Sequence, residues 1–220
     1  MSAPDLTAYR TVHACLRGAA HRIAVAARTL SPDDPSRVRA FSTYWDGFAG
    51  ELDAHHHIED EFFFPALVER VPVAEEYLAR IEGEHDHLDD LMARTTIEVA
   101  RVSAGAGTET LVSLLDEVAD HIDDHLDFED ADLLPLFERH FGAEEYEALD
   151  KRAMKSLGIG RQAAFTIPFI LKGATPPQRL HLLAHAPLAF RVIYQLARHR
   201  HDRLEATALG VAPARAAVAA

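Results

Sequence analysis

Apolar residues recur along this chain at alternating steps of three and four, the spacing that lays one stripe along a helix. Four long segments carry the pattern: A from about Asp5 to Leu30, B from about Ser36 to Arg70, C from about Ala74 to Ser103, and D from about Thr108 to Phe141. Alternation with a period of two is nearly absent, so the expected class is all-α. Breaker-rich links, SPDDP after A and AGAGT after C, are short. Short links between long helices imply an antiparallel up-down-up-down four-helix bundle. Pro65 is expected to kink the end of B, and Gly142 to cap the C-terminus of D. Residues 1–142 would form this bundle. A C-terminal helical extension over 143–207 follows as Ala143–Leu157, Arg161–Lys172 and Pro177–Arg200. Gly158 and Gly160 separate the first two pieces, and Pro187 bends the last. Residues 208–220 read as a disordered tail.

The seams are not purely apolar. A reads Leu6, Tyr9, His13, Leu16, Ala20, Ile23; B reads Phe48, Leu52, His55, Glu59, Phe62; C reads Leu78, Ile81, His85, Leu88, Met92; D reads Val118, Ile122, His125, Glu129, Leu133. Every helix thus turns a histidine inward, and B and D each add a glutamate one turn later. An unpaired carboxylate inside a bundle is costly, and a bound cation removes the cost. The four histidines also lie about 17 to 19 residues from the end of the bundle where the A–B and C–D links fall, which at about 1.5 Å per residue puts them in one layer.

Segments B and D repeat one another. HHHIEDEFFFP and HLDFEDADLLP share the pattern His-x3-Glu-Asp-x4-Pro. His and Glu four apart share a helix face, so two facing pairs supply two carboxylates able to bridge two cations and two imidazoles to cap them, with His13 and His85 completing the set. A shifted register in B would offer His57 and Glu61 instead; the match to D favours His55 and Glu59. Further candidates, as an added ligand or as a hydrogen-bonding neighbour, are His121, Asp89, His56 and Tyr9. His57 and His87 read as flank residues, and His21, His140, His181, His185, His199 and His201 as structural or solvated. Nitrogen and oxygen donors without sulfur fit iron, manganese or zinc. A ferritin-like site needs Glu-x-x-His on two helices, and only Glu82 and His85 supply one on a seam.

Charge and composition narrow the partners. The formal net charge is −13, and residues 46–132 carry 25 acidic side chains against 4 basic ones. Such a segment attracts cations and repels nucleic-acid phosphates. The basic C-terminal region is suited to packing over the acidic bundle or to meeting a protein partner. One cysteine, Cys15, excludes a disulfide framework and a thiolate cage; it reads as a small buried apolar residue. No stretch offers the roughly 20 clean apolar residues of a membrane span. Without a basic, then apolar, N-terminal stretch, a cytoplasmic location is expected.

Residues 8–141 resemble the hemerythrin-type (HHE) cation-binding family, through His13 in TVHACLR, His55 and Glu59 in HHHIEDEFFFP, His85 in GEHDHL, and His125 and Glu129 in HLDFEDADLLP. The resemblance implies a four-helix bundle around two non-haem iron ions, carboxylate- or oxo-bridged, with Glu59 and Glu129 bridging and the four histidines terminal. Oxygen carriers of the family have a second histidine one turn along the third helix and His-x4-Asp on the last; here Asp89 and His-x3-Glu stand instead. That departure weighs against reversible oxygen transport. The expected function is to bind or react with dioxygen, peroxide or nitric oxide, in redox or oxygen sensing or in detoxification; a peroxide- or NO-consuming oxidoreductase is the enzymatic form. The rivals are a helical interaction module, with or without metal, and a minor metal store.

Overall fold

The computed structural model describes residues 2–158 and 160–211, and among them every regular element is helical, with no strand. Helix α1 spans Thr7–Ala27 and α2 Pro35–Ile58. The chain then makes a π-helical turn, Glu59–Phe63, a short helix α3, Phe64–Arg70, and a 3₁₀ turn, Pro72–Ala74. Helix α4 is Glu75–Ser103 and α5 Glu109–Phe128; a second π turn, Glu129–Leu133, leads into α6, Leu134–His140. Four further helices follow: α7 Ala143–Leu157, α8 Ala163–Gly173, α9 Pro176–His185 and α10 Leu188–Leu209.

Local chemistry sets several of these ends. Asp34 accepts a hydrogen bond from the Arg37 backbone N–H ahead of Pro35, a proline in the first turn where its missing N–H costs nothing. Gly210, with φ of 66°, closes α10 in the left-handed conformation that glycine adopts freely.

Helices α1, α5, α4 and α2 pack in a closed ring, each against the next and α2 back against α1. Their inner faces form one apolar cluster, from Leu16, Ile23, Phe48 and Leu52 to Leu88, Leu115 and Ile122. A second cluster joins Tyr9, Phe63, Phe64, Leu67, Ile81, Phe137 and Tyr146, so α3, α6 and α7 close the other end. Helices α8 and α10 lie on α1 and α2. The contact is close: Gly47 faces the Phe165 ring, and the Gln162 side-chain amide donates to the Gly47 carbonyl at 2.9 Å.

Some expectations change. B is interrupted by a π turn just before Pro65, and D carries the same turn before Pro135. Gly142 is not a left-handed cap on D; its φ is −82°, and it leads into α7. The helix placed at 177–200 is two helices, because Pro187 breaks it. Ala208 and Leu209, assigned to the tail, are buried at the end of α10, while residues 212–220 lie outside the described residues. Cys15 is buried. Among the described residues no helix is long and apolar enough to cross a membrane.

Candidate metal centre

The two π turns have a common cause. Pro65 has no N–H to return to the Glu61 carbonyl, and its ring would crowd that carbonyl in a regular helix. Instead the Phe64 N–H reaches back five residues to the Glu59 carbonyl. In the repeat, the Leu134 N–H bonds the Glu129 carbonyl one residue before Pro135. A widened turn therefore begins at each inward-facing glutamate, a feature common at functional sites.

The structure brings His13 (α1), His55 (α2), Glu59, His85 (α4), His125 (α5) and Glu129 together between the two apolar clusters. All six are buried, and both glutamates are 0 % exposed. His57 and Glu61, the shifted-register pair, are exposed. One Glu59 oxygen lies 3.1 Å from His55 Nε2 and 3.9 Å from His13 Nε2; the other lies 3.8 Å from His85 Nε2. Glu129 lies 3.3 Å from His13 Nε2 through Oε2 and 3.7 Å from His125 Nε2 through Oε1. Each carboxylate thus faces histidines on both sides of the layer. Two four-donor groups result, His13–His55–Glu59–Glu129 and Glu59–His85–His125–Glu129, in each of which the donor atoms lie within 4.8 Å of one another.

Proximity here is not hydrogen bonding. His13, His55, His85 and His125 each leave Nε2 without a hydrogen-bond partner, as do Glu59 Oε2 and both Glu129 oxygens. Buried polar atoms are nearly always paired. The convergence of four imidazole nitrogens and three carboxylate oxygens, all unsatisfied, fits cations held among them.

Outer carboxylates fix the rings. Asp130 accepts from His13 Nδ1 at 3.0 Å, Asp60 from His85 Nδ1 at 3.1 Å, and Glu84 from His125 Nδ1 at 3.1 Å. A carboxylate on Nδ1 holds the proton there and turns the Nε2 lone pair inward, the arrangement a metal-binding imidazole needs. These three acids were not singled out in the sequence. For Asp60 and Asp130 the repeated Glu-Asp pair was the available signal, since the acid after each inward glutamate grips the histidine of a neighbouring helix; Glu84 had none.

The other candidates fall around this layer. The Tyr9 hydroxyl donates to Glu59 Oε1. His56 is 5 % exposed, stacked on His85 with ring centroids 3.9 Å apart. Asp89 and His121 belong to neither four-donor group; Asp89 is exposed beside the α2–α4 groove, and His121 packs against His87.

Protonation follows burial and neighbours. Burial, then the Glu59 charge, pushes the Glu129 carboxyl well above the usual carboxylate range. Burial and the surrounding imidazoles hold His55 and His56 well below the ordinary histidine value. For His13 and His85 burial works the same way, but the bond to Asp130 or Asp60 and the nearby Glu59 outweigh it and raise them.

Against models of known families, residues 5–137 match the hemerythrin HHE cation binding domain. No curated protein and no solved structure matches the chain.

Proposed function

This chain belongs to the hemerythrin HHE cation-binding family, and from that premise we propose that it is a non-haem di-iron protein that binds or reacts with a small oxidant, dioxygen, peroxide or nitric oxide, in sensing or detoxification. Residues 1–142 are read as an up-down-up-down four-helix bundle holding the centre, and residues 143–207 as an extension laid on it. The observation that carries the reading is the convergence of unpartnered imidazole nitrogens and carboxylate oxygens in one buried layer.

His13 and His55 would hold one ion and His85 and His125 the other, with Glu59 and Glu129 shared. The donor set also suits manganese or zinc. When bound, a reduced iron pair supplies electrons and an open position for a small ligand. The protein's share of the work is positional. Glu59 and Glu129 balance the cationic charge where water cannot. Tyr9 steadies Glu59 through its hydroxyl, and Asp130, Asp60 and Glu84 keep three imidazoles in the binding tautomer. Phe63, Phe64 and Phe137, buried beneath the layer, keep solvent from that side.

The test is metal analysis of protein purified without added metal, with absorption spectra before and after peroxide. About two irons per chain and the charge-transfer bands of an iron pair are expected. Zinc alone would point to a structural site, and no metal to a helical interaction module; either result overturns the proposal.

A further inference from the structure

His56 is the one buried histidine of the layer that belongs to neither four-donor group. It is 5 % exposed, and neither of its ring nitrogens has a hydrogen-bond partner. Buried polar atoms are nearly always paired, so two orphaned nitrogens on one ring of the donor layer call for an explanation. One of its nitrogens lies within 4.8 Å of ring nitrogens of both His85 and His125. It is not arranged as a further ligand beside His85, however. The two rings are stacked 3.9 Å apart with planes 15° from parallel. Lone pairs lie in the ring plane, so stacked rings direct them side by side rather than at one ion.

The surroundings of His56 are also unlike those of the rest of the layer. A groove of about 340 Å³ runs between α2 and α4, lined by Leu52, Asp53, Asp89 and Met92 among others. Asp53 lies one turn from His56 along α2, and Asp89 one turn from His85 along α4. The groove thus follows the faces of α2 and α4 that carry His56 and His85 and ends about one turn from them, without either ring lining it.

Resting on the di-iron reading, we propose that His56 is a positioning residue that hydrogen-bonds a small anionic ligand at the His85–His125 half of the centre, and that the α2–α4 groove is the ligand's way in. An imidazole beside a metal position, held off the metal by stacking, supplies a donor for the outer atom of such a ligand.

Azide is the probe. His56→Phe keeps a ring that stacks on His85 but removes the donor, and His56→Gln keeps a donor. Iron per chain, melting temperature and azide affinity by absorption titration are measured for the wild type and both variants. The expected result is unchanged iron content in both, azide binding weakened about tenfold or more in His56→Phe, as for loss of a hydrogen bond to a charged partner, and most of that affinity restored in His56→Gln. Ala93→Trp, which fills the groove, should slow azide association without changing iron content. Should His56→Phe not fold, His56→Leu is read in the same titration. Equal azide affinity in wild type and His56→Phe overturns the proposal and leaves the di-iron reading standing. Loss of one iron in His56→Phe would make His56 a ligand and overturn it as well. A wild type without iron defeats the di-iron reading and this inference together.

Discussion

Replacing Glu129 with glutamine separates a metal-binding carboxylate from a structural one by sign. Glu129 is fully buried, both its oxygens lack partners, and burial with the Glu59 charge keeps its carboxyl protonated well above the usual range. Without metal, therefore, the native side chain is close to neutral, and glutamine matches its shape. Metal-free stability should change by less than about 1 kcal/mol, since one neutral side chain replaces another of the same shape. With metal the outcome reverses. At a free metal concentration about 1,000 times Kd, binding stabilises the native state by about 4 kcal/mol. For a chain of this length that raises Tm by about 8–16 °C. Glutamine removes a charge shared by both four-donor groups. A hundredfold weaker affinity would leave about 1.4 kcal/mol at the same concentration, and a shift of about 3–6 °C. Calorimetric melts of both proteins, with chelator and with anaerobic ferrous iron, decide the matter. Equal metal-induced shifts in the two proteins, or a Tm several degrees lower for the variant in chelator, would refute the reasoning.

Other consequences follow from the same geometry. Metal must displace protons from Glu129, His13 and His85, whose proton affinities are raised, so affinity should fall as pH is lowered from about 8 to 6, by up to about tenfold per unit for each proton displaced; competition titration across that range measures the slope, and a flat profile contradicts the assignment. Asp130→Asn should leave the fold intact yet weaken metal binding by about 10- to 100-fold, because His13 loses the charged acceptor that holds its proton on Nδ1; metal competition with circular dichroism as control reads both effects. Gly47→Ala would place a methyl group 2.3 Å from the Phe165 ring, so it should lower stability by about 1–3 kcal/mol in denaturant melts while leaving iron content unchanged.

The sequence carried the layer because two strong constraints coincide there. Helical periodicity fixes which residues point inward, and burying Glu59 and Glu129 without compensation is prohibitive, so their pairing with His55 and His125 could be read directly. What escaped depends on contacts between helices or on one hydrogen bond. Pro65 announces a disturbance, but only the Phe64-to-Glu59 backbone bond shows that it takes the form of a π turn. Asp60 and Asp130 look like solvated flank residues on their own helices, and the histidines they grip belong to others. Gly142 suggested a left-handed cap, yet it sits in an extended conformation any residue could adopt. His201 read as structural or solvated; it is buried beside Tyr44 and Phe165 with neither ring nitrogen partnered, because α10 lies against α2 and α8.

The position of the polar layer has a consequence for cooperativity. Along every helix that enters it, the six donors fall between the residues of the two apolar clusters: His13 between Tyr9 and Leu16, His85 between Ile81 and Leu88, His125 and Glu129 between Ile122 and Leu133. The clusters therefore meet across unsatisfied nitrogens and oxygens, not across apolar side chains. Without cations this plane contributes little cohesion and leaves buried nitrogens and oxygens unpaired; with them it fastens one half of the core to the other. The half built from α3, α6 and α7 is the smaller, so it should open first when the plane is weakened. Native-state hydrogen exchange checks this. On chelation, amides in α3, α6 and α7 should lose protection by about tenfold or more, equivalent to about 1.4 kcal/mol of local stability, while those at Leu111–Ile122 in α5 change much less. A uniform loss across both halves would mean that the apolar clusters already unfold as one unit and that the layer joins nothing. No loss in either half would mean that no cation was holding the plane together.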